Sequence, residues 1–293
     1  MITTVKQEER ITGNRIKDEC CEFVYEPGKS LPVHPTDCFI VFCKTDYVFH
    51  FFDSCKMNYN TQYVLVTQNS DINISKELFD SSPLNVYKWF AQNVDYKHPR
   101  LESIPIGSAG STWIGVEEHA VQKYEHDYVL MEEDGAPKTF QNLVYVNFGT
   151  HTSPSHRGPI YNYFKDKEWA TKQACDIPLS EYEQSEDFVS IKNYYNEIYN
   201  HKFVMSPLGN GLDCGRNWQA LYVGTVPIVP RHTNIEFYEE LPILIYDDIE
   251  SLSQEYLSDA YEDIMSEKVN LEKATLSYWK RRFLEEKQKA LYR

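Results

Sequence analysis

Between Asn142 and Tyr246 the chain alternates short apolar runs with segments of helical period, and this alternation constrains the fold more than any other feature. The runs are residues 143–148, 170–174, 203–206, 226–229 and 243–246. Residues 159–165 read as a helix with proline in its first turn. Residues 185–200 read as an amphipathic helix with Phe188, Ile191, Tyr195, Ile198 and Tyr199 on one side. Residues 216–223 and 235–240 read as two more. Strands alternating with helices imply βαβ units on a parallel sheet. Upstream, residues 38–43, 47–52, 63–67 and 100–105 are short and rich in β-branched or aromatic side chains, as strands are. Residues 82–85 suit the start of a helix carrying Val86, Trp89 and Phe90. A charged helix is expected over 268–291, with Val269, Leu276, Trp279 and Phe283 available for packing. The reading is two α/β domains, 1–138 and 139–269, with a cleft near 134–141 and residues 270–293 left as a separate helix.

Composition narrows the function classes. The 293 residues are 42% hydrophobic, enough for a real core, and their formal net charge is −15. So acidic a chain is not expected to bind nucleic acid, which needs a basic face. No run approaches the ~20 apolar residues of a membrane span. No apolar leader is visible at the N-terminus. The cysteines, Cys20, Cys21, Cys38, Cys43, Cys55, Cys175 and Cys214, are odd in number and form no C-x-x-C, so neither a disulfide framework nor a zinc site is expected. A reducing, cytoplasmic location follows as an expectation.

The segment 203–221 carries the chemistry. A strand runs into Ser206-Pro207-Leu208-Gly209-Asn210-Gly211-Leu212-Asp213-Cys214-Gly215, and then into a helix opening with Arg216. Glycines let a backbone approach a phosphate, and a helix N-terminus offers unpaired N–H groups to it. An arginine at that end opposes the helix dipole and is at ease only beside an anion. No lysine follows the glycines, so the loop is not a triphosphatase P-loop. The spacing Gly209-x-Gly211-x-x-x-Gly215, with the next strand ending in Pro230-Arg231-His232, departs from the dinucleotide pattern and leaves a nicotinamide enzyme as a weak alternative.

Ser206-Pro207, Gly209, Gly211, Asp213, Arg216, Trp218, Ala220-Leu221, Gly224 and Pro227-Ile228-Val229 together resemble the C-terminal signature of exostosin-like glycosyltransferases. Asn147-Phe148 through Arg157, Tyr161–Phe164, Val64–Thr67 with Asp71, Trp89–Asn93 and Pro105–Gly107 resemble small soluble members from viruses and microbes. One departure stands out: the family usually has glutamate where this chain has Gln219. The resemblance implies two Rossmann-like domains facing across a cleft (GT-B). The second would bind a nucleotide-sugar, commonly a UDP-sugar, and the first a glycan or glycoprotein acceptor, with the last helix crossing back onto the first domain. It leans towards UDP-xylose and towards inversion, in a cytoplasm that is the host's if the chain is viral.

Cleaving the sugar–phosphate bond puts charge on the departing diphosphate, which a metal or fixed cations must stabilise. The chain has no D-x-D motif. Arg216 and Arg157 are therefore expected to do this without metal or other cofactor. Ser206, Gly209, Asn210, Gly211, Asp213, Asn217 and Gln219 are the expected donor-binding residues, with Gln219 at the ribose. Asp71, just past the strand 63–67, is the expected base for the acceptor hydroxyl, with Asp53 and Asp95 in reserve. His119 and His151 are possible polar contacts, and Tyr47, Trp89 and Trp113 possible stacking faces for a sugar. The competing reading is a module of the same fold that binds carbohydrate or nucleotide without turnover.

Overall fold

A computed structural model of the chain describes residues 5–108, 138–173 and 191–292. Two parallel five-stranded sheets organise it. The first holds β1 (Phe23–Tyr25), β2 (Cys38–Lys44), β3 (Gln62–Gln68), β4 (Val86–Ala91) and β5 (Leu101–Ser103), side by side in chain order. The second holds β6 (Asn142–Val146), β7 (Ala170–Lys172), β8 (His201–Met205), β9 (Val226–Pro230) and β10 (Leu244–Tyr246), in the order β10-β9-β8-β6-β7. The described helices of four residues or more are α1 (Val48–Lys56), α2 (Lys76–Asp80), α3 (Pro154–Phe164), α4 (Ile191–Tyr199), α5 (Gly215–Tyr222), α6 (Gln254–Ser266) and α7 (Leu276–Leu291), leaving aside a 3₁₀ turn and a π turn.

Period-two alternation sends each strand's side chains to two faces. In β3, Tyr63 and Leu65 join the core beneath α1 and α2, while Val64 and Val66 join the core beneath α7. In β6, Val144 and Val146 meet Ile160 and Phe164 of α3, whereas Tyr145 packs with Tyr194 and Ile198 of α4. With both faces covered, the central strands read as continuous apolar runs, as buried parallel strands do.

Several expectations change. Residues 47–52 are not a strand: Val48, Phe51, Phe52 and Cys55 are buried at helical spacing on one face of α1. Residues 86–90 are not a helix: in β4, Trp89 and Ala91 enter one core and Phe90 the other, and Phe90 pairs in register with Val66. A run of aromatic residues fits either period, and tertiary burial decides between them. The strand expected over 100–105 shrinks to three residues, and 235–240 is a 3₁₀ turn, Ile235–Tyr238. The start of the helix expected from 185, with Phe188, lies outside the described residues.

The last helix is broken where the chain passes from the second sheet's core to the first sheet's. Val269 packs on the second core, a turn follows at Glu272–Ala274, and the Thr275 side chain accepts from the Tyr278 N–H to cap α7. Leu276, Trp279 and Phe283 then bury against β2, β3 and β4, with Phe283 4.7 Å from the Phe90 ring. Arg282 of α7 reaches Glu102 at 2.9 Å, and Glu102 also pairs with Lys88 at 2.9 Å. The last helix thus covers the first sheet, as expected.

The two sheets meet through the carboxyl ends of their strands. Asn234, after β9, accepts from the Val94 N–H at 2.8 Å and from the Ser103 hydroxyl at 2.7 Å. Trp218, Tyr222, Ile235 and Tyr238 of the second half share one hydrophobic core with Ile40, Phe42, Val64 and Phe90 of the first.

Candidate active site

In the second sheet β7 lies on one side of β6 and β8 on the other, so the chain reverses direction across the sheet between β6 and β8. Loops leaving the carboxyl ends on either side of such a point diverge and open a crevice. The loop after β6 leads to Arg157, and the loop after β8 leads to Arg216.

Arg157 is not in a loop, as expected, but in the first turns of α3, which begins at Pro154. It is buried. Its Nε donates to the Leu208 carbonyl at 2.8 Å and its Nη1 to the Gly149 carbonyl at 3.1 Å. Its Nη2 lies 3.4 Å from where a Cβ on Gly209 would stand, so the guanidinium is in van der Waals contact with the glycine loop. Burial, with the nearby Arg216 charge, pulls the Arg157 pKa down to about 10. Arg216 is half-buried at the second position of α5, whose N-cap residue Cys214 makes no side-chain cap bond. Arg216 donates a side-chain hydrogen bond to the Tyr194 hydroxyl oxygen of α4, and the Arg216 Nε is buried without a hydrogen-bond partner among the described residues. Neither arginine has a carboxylate partner there. Ser206, at the end of β8, is buried and its Oγ is likewise without a partner. Two guanidiniums and an orphaned hydroxyl therefore surround the Gly209 loop. That arrangement can take a multiply charged anion.

The other expected donor contacts divide. Gly209 is half-buried and Asn210 exposed at the loop tip. Gly211 is buried against Asn93 of the first half. Asp213 points into the domain seam: its carboxylate accepts from the Ile106 N–H at 2.6 Å and from the Trp218 Nε1–H at 3.0 Å, and burial raises its pKa to about 6. Asn217 donates to Asp213 at 3.4 Å. Gln219 is buried and its Oε1 accepts from the Tyr194 hydroxyl at 2.9 Å, leaving the Nε2 donor without a partner among the described residues.

Asp71 is exposed just beyond the carboxyl end of β3, after Asn69, whose φ is +61°. Asp53 faces out on α1 and pairs with Lys56; Asp95 is exposed. Trp89 is core, its Nε1 donating to Thr67 at 2.9 Å, whereas Tyr47 is partly exposed. His151 is exposed, and His119 and Trp113 lie outside the described residues. Asp46, which the sequence reading did not single out, lies just past β2; bonds from the Ser70 and Lys44 side chains hold its pKa down, and it is exposed. Tyr194 also went unread, because the helical face was drawn through its neighbour Tyr195.

No protein-family pattern matches this sequence, and no curated protein sequence matches it. Solved structures do. The chain is similar to an α1,3-fucosyltransferase at 10% identity and a TM-score of 0.41, over 92% of this chain and 93% of that one. It is similar to an α,α-trehalose-phosphate synthase (UDP-forming) from Burkholderia vietnamiensis at 10% identity and a TM-score of 0.38, over 89% and 69%. It is also similar to the pneumococcal O-GlcNAc transferase GtfA, solved with UDP and GlcNAc, at 12% identity and a TM-score of 0.37, over 89% and 57%. Among the described residues no helix is long and apolar enough to cross a membrane.

Proposed function

We propose that the chain transfers a sugar from a nucleotide-diphosphate sugar to an acceptor hydroxyl. The observation that carries this reading is the pair Arg157 and Arg216, buried or half-buried without a carboxylate partner among the described residues, at the switch point of the second sheet. A diphosphate fits it: two negative groups, to be met by two guanidiniums, the Ser206 hydroxyl and the N–H groups opening α5. As the bond from the anomeric carbon to the diphosphate oxygen breaks, its electrons go to that oxygen, and cations fixed there stabilise the leaving group with little reorganisation. In this proposal the arginines take the role a metal plays in other transferases. The acceptor hydroxyl attacks the opposite face of the anomeric carbon and gives its proton to a carboxylate, which inverts the configuration. Asp71 is the proposed base and Asp46 the neighbouring candidate. Gln219 would meet the ribose only through its Nε2, since Tyr194 occupies its other end. The resemblance of the 206–229 segment to exostosin-like enzymes favours a UDP-sugar, with UDP-xylose the first donor to try.

Calorimetric titration with UDP in the presence of EDTA, and UDP release from a panel of UDP-sugars with and without glycan acceptors, test the reading. Binding of UDP but not NAD, with acceptor-dependent UDP release, is expected. UDP binding without turnover of any donor would leave the non-catalytic module, and no binding of any nucleotide, with or without manganese, would sink the proposal.

A further inference from the structure

Asn93 stands between the two halves of the proposed site. It follows β4, is fully buried, and adopts a left-handed φ of +59°, which turns its side chain into the seam. Its Nδ2 donates to the Ser70 carbonyl at 2.9 Å, one residue before Asp71. Its Oδ1 accepts from the Asp213 N–H at 2.8 Å, two residues beyond Gly211. The amide fills the space beside Gly211: a Cβ there would stand 2.6 Å from Nδ2 and 2.9 Å from Oδ1. The neighbouring Gln92 Oε1 accepts from the Asn69 N–H at 3.1 Å, so the same turn holds the first loop at a second point. Ser70 in turn bonds Asp46.

We infer that Asn93 is a positioning residue that sets the spacing between the carboxylate-bearing loop 69–72 of the first half and the glycine loop 209–213 of the second. The inference rests on the proposed function for its catalytic meaning, though not for its geometry. A side-chain amide has one donor and one acceptor face, and here each face is committed to a different loop. The bridge is short, buried and rigid, so movement of one loop is transmitted to the other. Proximity in catalysis depends on such spacing, and a misplacement of about 1 Å can cost on the order of 100-fold in rate. The second half does not need Asn93 to meet a diphosphate, because Arg157 is held by the Leu208 and Gly149 carbonyls and Arg216 by the Tyr194 hydroxyl.

Asn93→Gly removes the amide while tolerating the positive φ. Gly211→Ala attacks the same contact from the opposite loop, by placing a methyl where the amide sits. Hydrogen–deuterium exchange on the ligand-free full chain gives the first readout: in each variant, exchange should rise in both 69–72 and 209–213. If one variant does not fold, the other still decides. A rise confined to one loop, or none, overturns the inference whether or not the protein is a transferase. With UDP and the best UDP-sugar as probes, Asn93→Gly should bind UDP within about threefold of the parent and lose at least about tenfold in kcat for UDP release. Equal loss of UDP affinity and kcat would make Asn93 a prop for the glycine loop alone and overturn the spacing role. If the parent binds no nucleotide, the proposed function falls while the exchange experiment still tests the bridge.

Discussion

A guanidinium taken out of water without a carboxylate loses solvation that carbonyl dipoles replace only in part. Arg157 accepts that cost with two carbonyl partners, and Arg216 sits beside it at the wrong end of a helix dipole. An anion removes both conflicts at once. Arg216→Ala is therefore expected to weaken UDP binding about 10- to 100-fold, the worth of one or two kcal/mol and more of charge-assisted contact, with the fold retained; titration of the variant checks this. Asp71→Asn should lower kcat by at least about 100-fold with UDP affinity nearly unchanged, while Asp46→Asn leaves kcat within about tenfold. The reverse pattern in steady-state kinetics would move the base to Asp46. At this scale the sequence disclosed the arginines, since charge, glycines and strand end are local properties. It did not disclose Tyr194 or Asn93. Their roles arise from a helix rotation and a left-handed turn that bring together residues more than twenty positions apart.

Elements were legible where one period dominated. The second sheet's strands and α5 follow from alternation and from the glycine turn, and the structure places them close to the expected bounds. The strand and the helix read with the wrong type, now α1 and β4, are both dense in aromatic residues, which bury well at either period, so only the partner surface settles the outcome. The partner of β4 is α7, from the far end of the chain. Phe283, fully buried against Phe90 and Trp279, should cost about 3–5 kcal/mol when changed to alanine, because the cavity is enclosed by two rings and cannot collapse. Chemical denaturation measures this, with a lowered midpoint and an unchanged slope as the expected result. The same change should leave the second sheet's own core untouched.

At the scale of the molecule, Asp213 joins the halves through the Ile106 N–H, and its protonation is coupled to folding. Burial raises its folded pKa from the ordinary 3.8 to about 6, so between these values the folded chain holds the extra proton. Its contribution to stability is greatest at the acid end of that window and is lost as pH rises through about 6, by on the order of 3 kcal/mol. Asp213→Asn should flatten this part of a stability-versus-pH profile measured by denaturation between pH 4 and 7. The crossing of α7 has a further consequence, for synthesis. The chain is made from its N-terminus, yet the cover of the first sheet's second face, shared with Ile16, Cys20, Trp218 and Tyr238, is completed only by residues 276–291, so the half begun first is finished last. A ribosome must deliver the whole second half before the cover over Val64 and Phe90 is complete. Chains stopped after Thr275 are accordingly expected to be bound by chaperones or degraded, and full-length chains to gain protease resistance only once α7 has cleared the exit tunnel, which limited proteolysis of stalled nascent chains would reveal.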